Sequence, residues 1–135
     1  ILSCQHCKEP CLNGTQPRTR KPGVIFKAFD VVAVPFPFTD RNATKRRPAL
    51  VISNERFNQQ HNQLVLAMIT TATDNIWPSD VSLTNWQEAG LKVACHFRLK
   101  LFTLDQNLVS KAIGHLSSQD VKSVQAVLTE YVDVG

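Results

Sequence analysis

Apolar residues in this chain gather in short runs of strand length, and only the last stretch carries a helical repeat. Asp30 to Phe36 (DVVAVPF) is apolar and β-branched, and Pro48 to Ser53 (PALVIS) is a second run of the same kind. Leu64 to Thr70 (LVLAMIT) is continuously apolar, the pattern of a strand buried on both faces. Asp80 to Thr84 (DVSLT) alternates as a half-buried strand. Val93 to Leu99, Leu101 to Leu104 and Ile113 to Leu116 supply further strand material. Among the connections, Glu55 to Gln63 is polar, Thr71 to Ser79 is a turn-rich link around Trp77-Pro78, and Asn85 to Gly90 reads as a helical turn closed by glycine. From Ser117 the period changes. Val121, Val124, Leu128 and Tyr131 fall on one helical stripe, and Ser117 with Asp120 forms a capping-box-like start. The pattern predicts a mainly β protein, a small and partly open barrel of about five to seven strands, with one C-terminal amphipathic helix over residues 118–131.

Between the first two strands lies Thr39 to Arg47, polar apart from Ala43 and holding Arg41, Lys45, Arg46 and Arg47. Proline has no N–H to donate, so Pro35, Pro37 and Pro48 are expected to end the ladder there. Arg46 and Arg47 would then stand at the base of a projecting basic loop. Charge is uneven along the chain: residues 1–50 hold nine Lys/Arg against three Asp/Glu, whereas residues 51–135 hold six against eight. That balance suits a nucleic acid or an acidic protein as partner, although a solvated hairpin loop has the same composition.

With 135 residues the chain fits one domain, and no window has the apolar length of a membrane span. No charged-then-apolar leader pattern is present, so a cytoplasmic protein is expected. Residues 1–27 differ from the rest and read as an irregular arm ahead of a domain at 28–135. Cys4, Cys7 and Cys11 in that arm are close enough to ligate zinc with His6 or Cys95, but the second short-spaced ligand pair of a structural site is missing. A metal-free arm is therefore the expectation.

The strings DVVAVPFPFTD and KRRPALVIS are similar to the start of PemK/MazF-type toxins of type II toxin–antitoxin systems. Further matches follow in the order that family shows: Ala67-Met68-Ile69-Thr70, Gly90-Leu91, Arg98 to Asp105 (RLKLFTLD) and Ile113 to Ser117. The similarity covers about residues 28 to 132. It implies a small SH3-like barrel of the CcdB/MazF type and a sequence-selective, metal-independent endoribonuclease that cuts single-stranded RNA without a cofactor. It also implies a homodimer, and an acidic antitoxin that lies across the basic groove near Arg41, Lys45, Arg46 and Arg47. The helix stripe with Trp86, Phe97 and Phe102 offers apolar surface for a second copy.

Cleavage of this kind uses the ribose 2′-hydroxyl as nucleophile, so charge builds on the phosphorane and protons must move. Arginine suits charge stabilisation, because its planar fork binds two phosphate oxygens. The resemblance places that arginine at Arg47 and a second catalytic residue at Thr70, with Arg41, Lys45, Arg46 and Arg98 binding RNA. The acid that some relatives carry two residues after an arginine is missing, since Lys100 follows Arg98 and the next acid is Asp105. His61 and His96 are the alternative proton carriers. Phe29 stands where the family usually has glycine before the first strand, and phenylalanine accepts a positive φ only at a cost. A non-catalytic binder on the same barrel, like the gyrase poisons, is the competing function.

Overall fold

The computed structural model of the protein describes residues 25–35, 46–73 and 75–133. Six strands form one antiparallel sheet: β1 (Asp30–Pro35), β2 (Arg46–Val51), β3 (Gln63–Thr71), β4 (Val81–Ser82), β5 (Cys95–Asp105) and β6 (Lys111–His115). Their order across the sheet is β4-β5-β3-β2-β1-β6. Among the described residues, helices α1 (Glu55–His61) and α2 (Ser118–Tyr131) and a 3₁₀ turn at Gln106–Leu108 are the other regular elements. The sheet bends into a half-barrel with the C-terminal helix against it, as the strand pattern predicts.

Both faces of the sheet are covered, which is why its strands read as nearly unbroken apolar runs. Val31, Leu50, Ala67, Ile69 and Phe97 point to one side, under Leu83, Ala89, Leu116 and Val124. Val32, Val34, Ala49, Val51, Leu64, Leu66 and Phe102 point to the other, with Phe26. Phe26 belongs to the segment read as an arm, yet it packs into this second core. The bend has a local cause. Ala67 pairs with Leu101 but Met68 pairs with Arg98, so Leu99 and Lys100 form a bulge that curls β5.

Several elements differ from expectation. β2 begins at Arg46, before Pro48, and the ladder continues through the pairs Pro35↔Arg46, Val34↔Arg47 and Ala33↔Pro48. The pairing of β2 with β3 starts only at Ala49↔Met68, so Pro48 lies where one side of β2 is unpaired and its missing N–H is tolerated. Arg46 and Arg47 are therefore strand residues, not the base of a loop. Residues 80–84 form a strand of only two residues, Val81–Ser82. Polar residues 55–61 are helical, because caps rather than an apolar stripe hold them. Asn54 accepts from the Phe57 N–H, Asn62 closes the helix at φ 53°, and buried Asn58 donates to the Phe26 carbonyl. On α2, Val121, Val124 and Leu128 pack inward, joined by Val127, whereas Tyr131 is 53% exposed. Phe97 and Phe102 are buried and Trp86 is half-buried, so they do not offer the free apolar surface expected of them.

Phe29 does adopt φ 73°. The left-handed conformation costs about 1–2 kcal/mol for an L-residue. It is held by hydrogen bonds on both sides, from the Phe29 N–H to Val51 and from the Leu116 N–H to Phe29, and by packing of the ring on the first core. Gly90 (φ 89°) closes the 85–90 turn against β6, where a Cβ would fall 2.6 Å from the Ile113 carbonyl oxygen.

The α2 N-terminus is tied to the rest by Asp120, a buried carboxylate that accepts from the Thr84 N–H (3.0 Å), the Thr84 hydroxyl (2.9 Å) and the Asn85 N–H (2.9 Å). Removing it leaves those donors without their partner, each worth about 1–3 kcal/mol. Asp120→Ala should therefore lower unfolding free energy by about 3 kcal/mol in a denaturant titration. A loss under about 1 kcal/mol would mean that water replaces the carboxylate.

Candidate active site

Strand register brings together residues that are far apart in sequence. Thr70, next to last in β3, pairs with His96, and His96 pairs with Ser82 of β4. The β2–β3 pairing runs Val51↔Leu66, Leu50↔Ala67 and Ala49↔Met68 and stops there; Arg47 lies two residues further along β2, on the face that Ala49 and Met68 share. Thr70 and His96 are cross-strand partners about 5 Å apart, and strand alternation puts Arg47 on that same face at the end of β2, so the three form one row. All three are half-buried. The Nδ1 atom of His96 is buried and has no hydrogen-bond partner among the described residues. A planar cation, a hydroxyl and an imidazole in line can bind a phosphate, orient it and move a proton.

At the same end of the sheet but on its other face, where Thr71 and Cys95 point rather than Thr70 and His96, opens a cavity of about 400 Å³. Arg46, Arg47, Lys92 and Lys111 contribute to its walls, with Leu91 and Ile113 among its apolar lining. Cys95 also lines it; the residue is otherwise buried, its sulfur lies 3.3 Å from the Val93 carbonyl, and burial pushes the thiol pKa up. The four cations come from β2, the 90–94 segment and β6. Lys92 and Lys111 carry no signal in the sequence that would join them to Arg46 and Arg47. Only the fold does so.

Arg98 lies on the same face, two residues from His96, but its guanidinium is engaged by the protein. Nε donates to Asp80 Oδ1 (3.1 Å), and Nη2 donates to Asp80 Oδ2 (2.8 Å) and to the Asn75 carbonyl (2.8 Å). The guanidinium carbon also stands 4.7 Å from the centroid of the Trp77 ring. Arg98 thus holds the 75–80 segment in place and does not present its fork to RNA as expected. Burial acts to raise the Asp80 pKa, but the Arg98 hydrogen bond, the Trp77 N–H and nearby positive charge outweigh it and hold the carboxyl below its ordinary value. The Asp80 hydrogen bond in turn raises the Arg98 pKa against the effect of burial. The depressed carboxyl keeps the pair's contribution to stability intact above the ordinary aspartate pKa, and it is lost only as pH falls through the lowered value. Asp80 and Trp77 escaped sequence reasoning, although Trp-Pro-Ser-Asp is a legible turn signal.

The remaining candidates lie elsewhere. His61 ends α1, exposed and with its ring 4.6 Å from that of Phe57. The length of β3 separates it from Thr70 by more than about 20 Å, so the structure does not bring it to the row. Asp105 pairs with Gln63 at that same far end and accepts from the Asn107 N–H (2.8 Å), capping a short 3₁₀ turn. Arg41, Lys45, Cys4, Cys7, Cys11 and His6 lie outside the described residues. Among the described residues, no group of three or more His, Cys, Asp or Glu is placed to hold a metal ion. No helix among them is long and apolar enough to cross a membrane.

Fold and site together define a small half-barrel protein with a basic cleft at one end of its sheet. Residues 27–132 match the PemK-like, MazF-like toxins of type II toxin–antitoxin systems, and the chain belongs to that family. Solved structures with the same fold include MazE–MazF (Form-II) from Deinococcus radiodurans, 18% identical, covering 83% of this chain and 99% of that one at a TM-score of 0.63. An endoribonuclease in complex with its cognate antitoxin from Mycobacterial species is 14% identical, covering 78% of this chain and 91% of that one at 0.61. The Mycobacterium tuberculosis toxin MazF-mt6 is 16% identical, covering 75% and 93% at 0.57. No curated protein is similar enough to this chain to match it.

Proposed function

We propose that the protein is a metal-independent endoribonuclease toxin that cuts single-stranded RNA at selected sequences. The observation that carries this reading is the row of Arg47, Thr70 and His96 across β2, β3 and β5. The 2′-oxygen of one nucleotide attacks the adjacent phosphorus, and the bond to the 5′-oxygen breaks. The products are a 2′,3′-cyclic phosphate and a 5′-hydroxyl. His96 takes the proton from the 2′-hydroxyl as the new bond forms, and the departing 5′-oxygen takes up a proton from water. Arg47 holds the equatorial phosphate oxygens where negative charge accumulates, and Thr70 donates to the same phosphate. Arg46, Lys92 and Lys111, around the end of the sheet from the row, attract the flanking backbone.

Two partners belong to the same reading. Likeness to a MazE–MazF assembly and to an endoribonuclease bound to its antitoxin supports an acidic antitoxin here, seated over the apolar and cationic cavity. We also propose a homodimer. Exposed Val93, Leu101 and Leu108, rather than the buried phenylalanines, are its candidate contacts. Incubating the purified protein with single-stranded RNA in excess EDTA tests the activity. Fragments ending in cyclic phosphate are expected. Intact RNA, with toxicity on expression retained, would establish the non-catalytic binder instead.

A further inference from the structure

We propose that Trp77 is a stacking platform for a nucleobase of the bound RNA, next to the nucleotide whose phosphate is cut. This rests on the endoribonuclease reading and adds to it a base-binding residue that the arginine, threonine and histidine row does not supply.

Trp77 is held in place with unusual thoroughness for a residue 38% exposed. Its backbone opens a tight turn in which the Asp80 N–H donates to the Trp77 carbonyl (2.9 Å) and the Trp77 N–H donates to Asp80 Oδ2 (3.0 Å). Pro78 presets the second position of that turn. The Asp80 side chain is 1% exposed and also binds Arg98 through both carboxylate oxygens. Arg98 reaches back to the Asn75 carbonyl and packs its guanidinium on one face of the indole. A buried ion pair thus fixes the position of an aromatic ring that the fold leaves facing outward. Its neighbour Ile76 is 57% exposed, so the segment presents an apolar edge to solvent.

The location suits a base. Arg98 and His96 are two apart on β5 and share a face, and the 72–80 segment leaves β3 directly after Thr70 and Thr71. Through its contact with Arg98 the indole is tied to the face that carries the row. Every base has a π-face, so stacking on a fixed ring holds single-stranded RNA at small conformational cost. An indole serving only as a roof over Arg98 would give the same packing but would not sense RNA, and the two roles separate in solution.

Trp86 is the chain's other tryptophan, so Trp86→Phe makes Trp77 the sole indole reporter. The probe is a single-stranded RNA carrying one 2′-deoxynucleotide at the cleaved bond, with binding followed independently by anisotropy of a dye on its end. Indole fluorescence should be quenched in step with anisotropy. Trp77→Leu, which keeps an apolar cover on Arg98, should weaken binding about tenfold and raise KM with kcat nearly unchanged, and Trp77→Phe should recover most of the loss. An abasic site at the stacked position should weaken binding to the parent protein about as much, and should add little further loss with Trp77→Leu. Silent indole fluorescence on bound RNA, or Trp77→Leu binding like the parent, overturns the platform while leaving the nuclease standing. If RNA is neither bound nor cut, the endoribonuclease reading fails and the platform goes with it.

Discussion

An RNA with hydrogen in place of the 2′-hydroxyl at the cleaved nucleotide should bind the protein and remain intact. The substitution removes one oxygen. It leaves every phosphate, and therefore the electrostatic attraction to Arg46, Arg47, Lys92 and Lys111, unchanged. Affinity should stay within a few-fold of the all-ribose RNA. Cleavage should fall below detection over times in which the all-ribose RNA is consumed, because an intramolecular nucleophile held against its phosphorus has an effective molarity of about 10⁵ M or more that bulk water cannot replace. The site is consistent with this demand: its one row of Arg47, Thr70 and His96 offers a proton acceptor and charge stabilisation. Cleavage of the deoxy substrate at the normal rate, yielding a linear phosphate, would show that water is the nucleophile.

How much of this was legible in the sequence depends on whether the determinant is local. β1, β3 and α2 were readable because their cores are written as apolar runs and a helical stripe within single segments. Helix α1 was not, since seven mostly polar residues carry no period and its stability comes from Asn54, Asn62 and the contact of Asn58 with Phe26, 32 positions away. The start of β2 was misread for a related reason. Two arginines and a proline look like a loop, but β1 supplies partners for all three.

The site shows the same division. His61 and His96 are equivalent as letters, and only the Thr70↔His96 pairing separates them. Arg98 was recognisable as a notable cation. Its commitment to Asp80 was not, because that partner stands 18 positions earlier and meets it only after the 72–80 segment folds back. Charge composition pointed to a polyanion, yet half of the cleft's four cations come from beyond the first fifty residues, where net charge is negative.

Arg47→Ala should lower kcat by about a hundredfold, equivalent to ~3 kcal/mol of lost transition-state stabilisation. The reasoning is differential. In the ground state the phosphodiester carries one negative charge, which Arg46, Lys92 and Lys111 also attract, so RNA affinity should fall by a smaller factor than kcat. In the phosphorane the charge on the equatorial oxygens grows, and on the proposed mechanism the planar fork of Arg47 meets that growth. Arg47→Lys should recover only part of the rate, because an ammonium keeps the charge but loses the two-point geometry. Thr70→Ala should slow cleavage less than Arg47→Ala, since it removes a neutral donor. His96→Gln should slow cleavage more than Thr70→Ala, because it removes the group that takes up the 2′-hydroxyl proton. Single-turnover cleavage with saturating protein reads the chemical step directly, and melting curves for each variant separate lost chemistry from lost folding. If folded Arg47→Ala retains its rate within threefold, Arg47 is not the charge stabiliser and the reaction is not centred on the row.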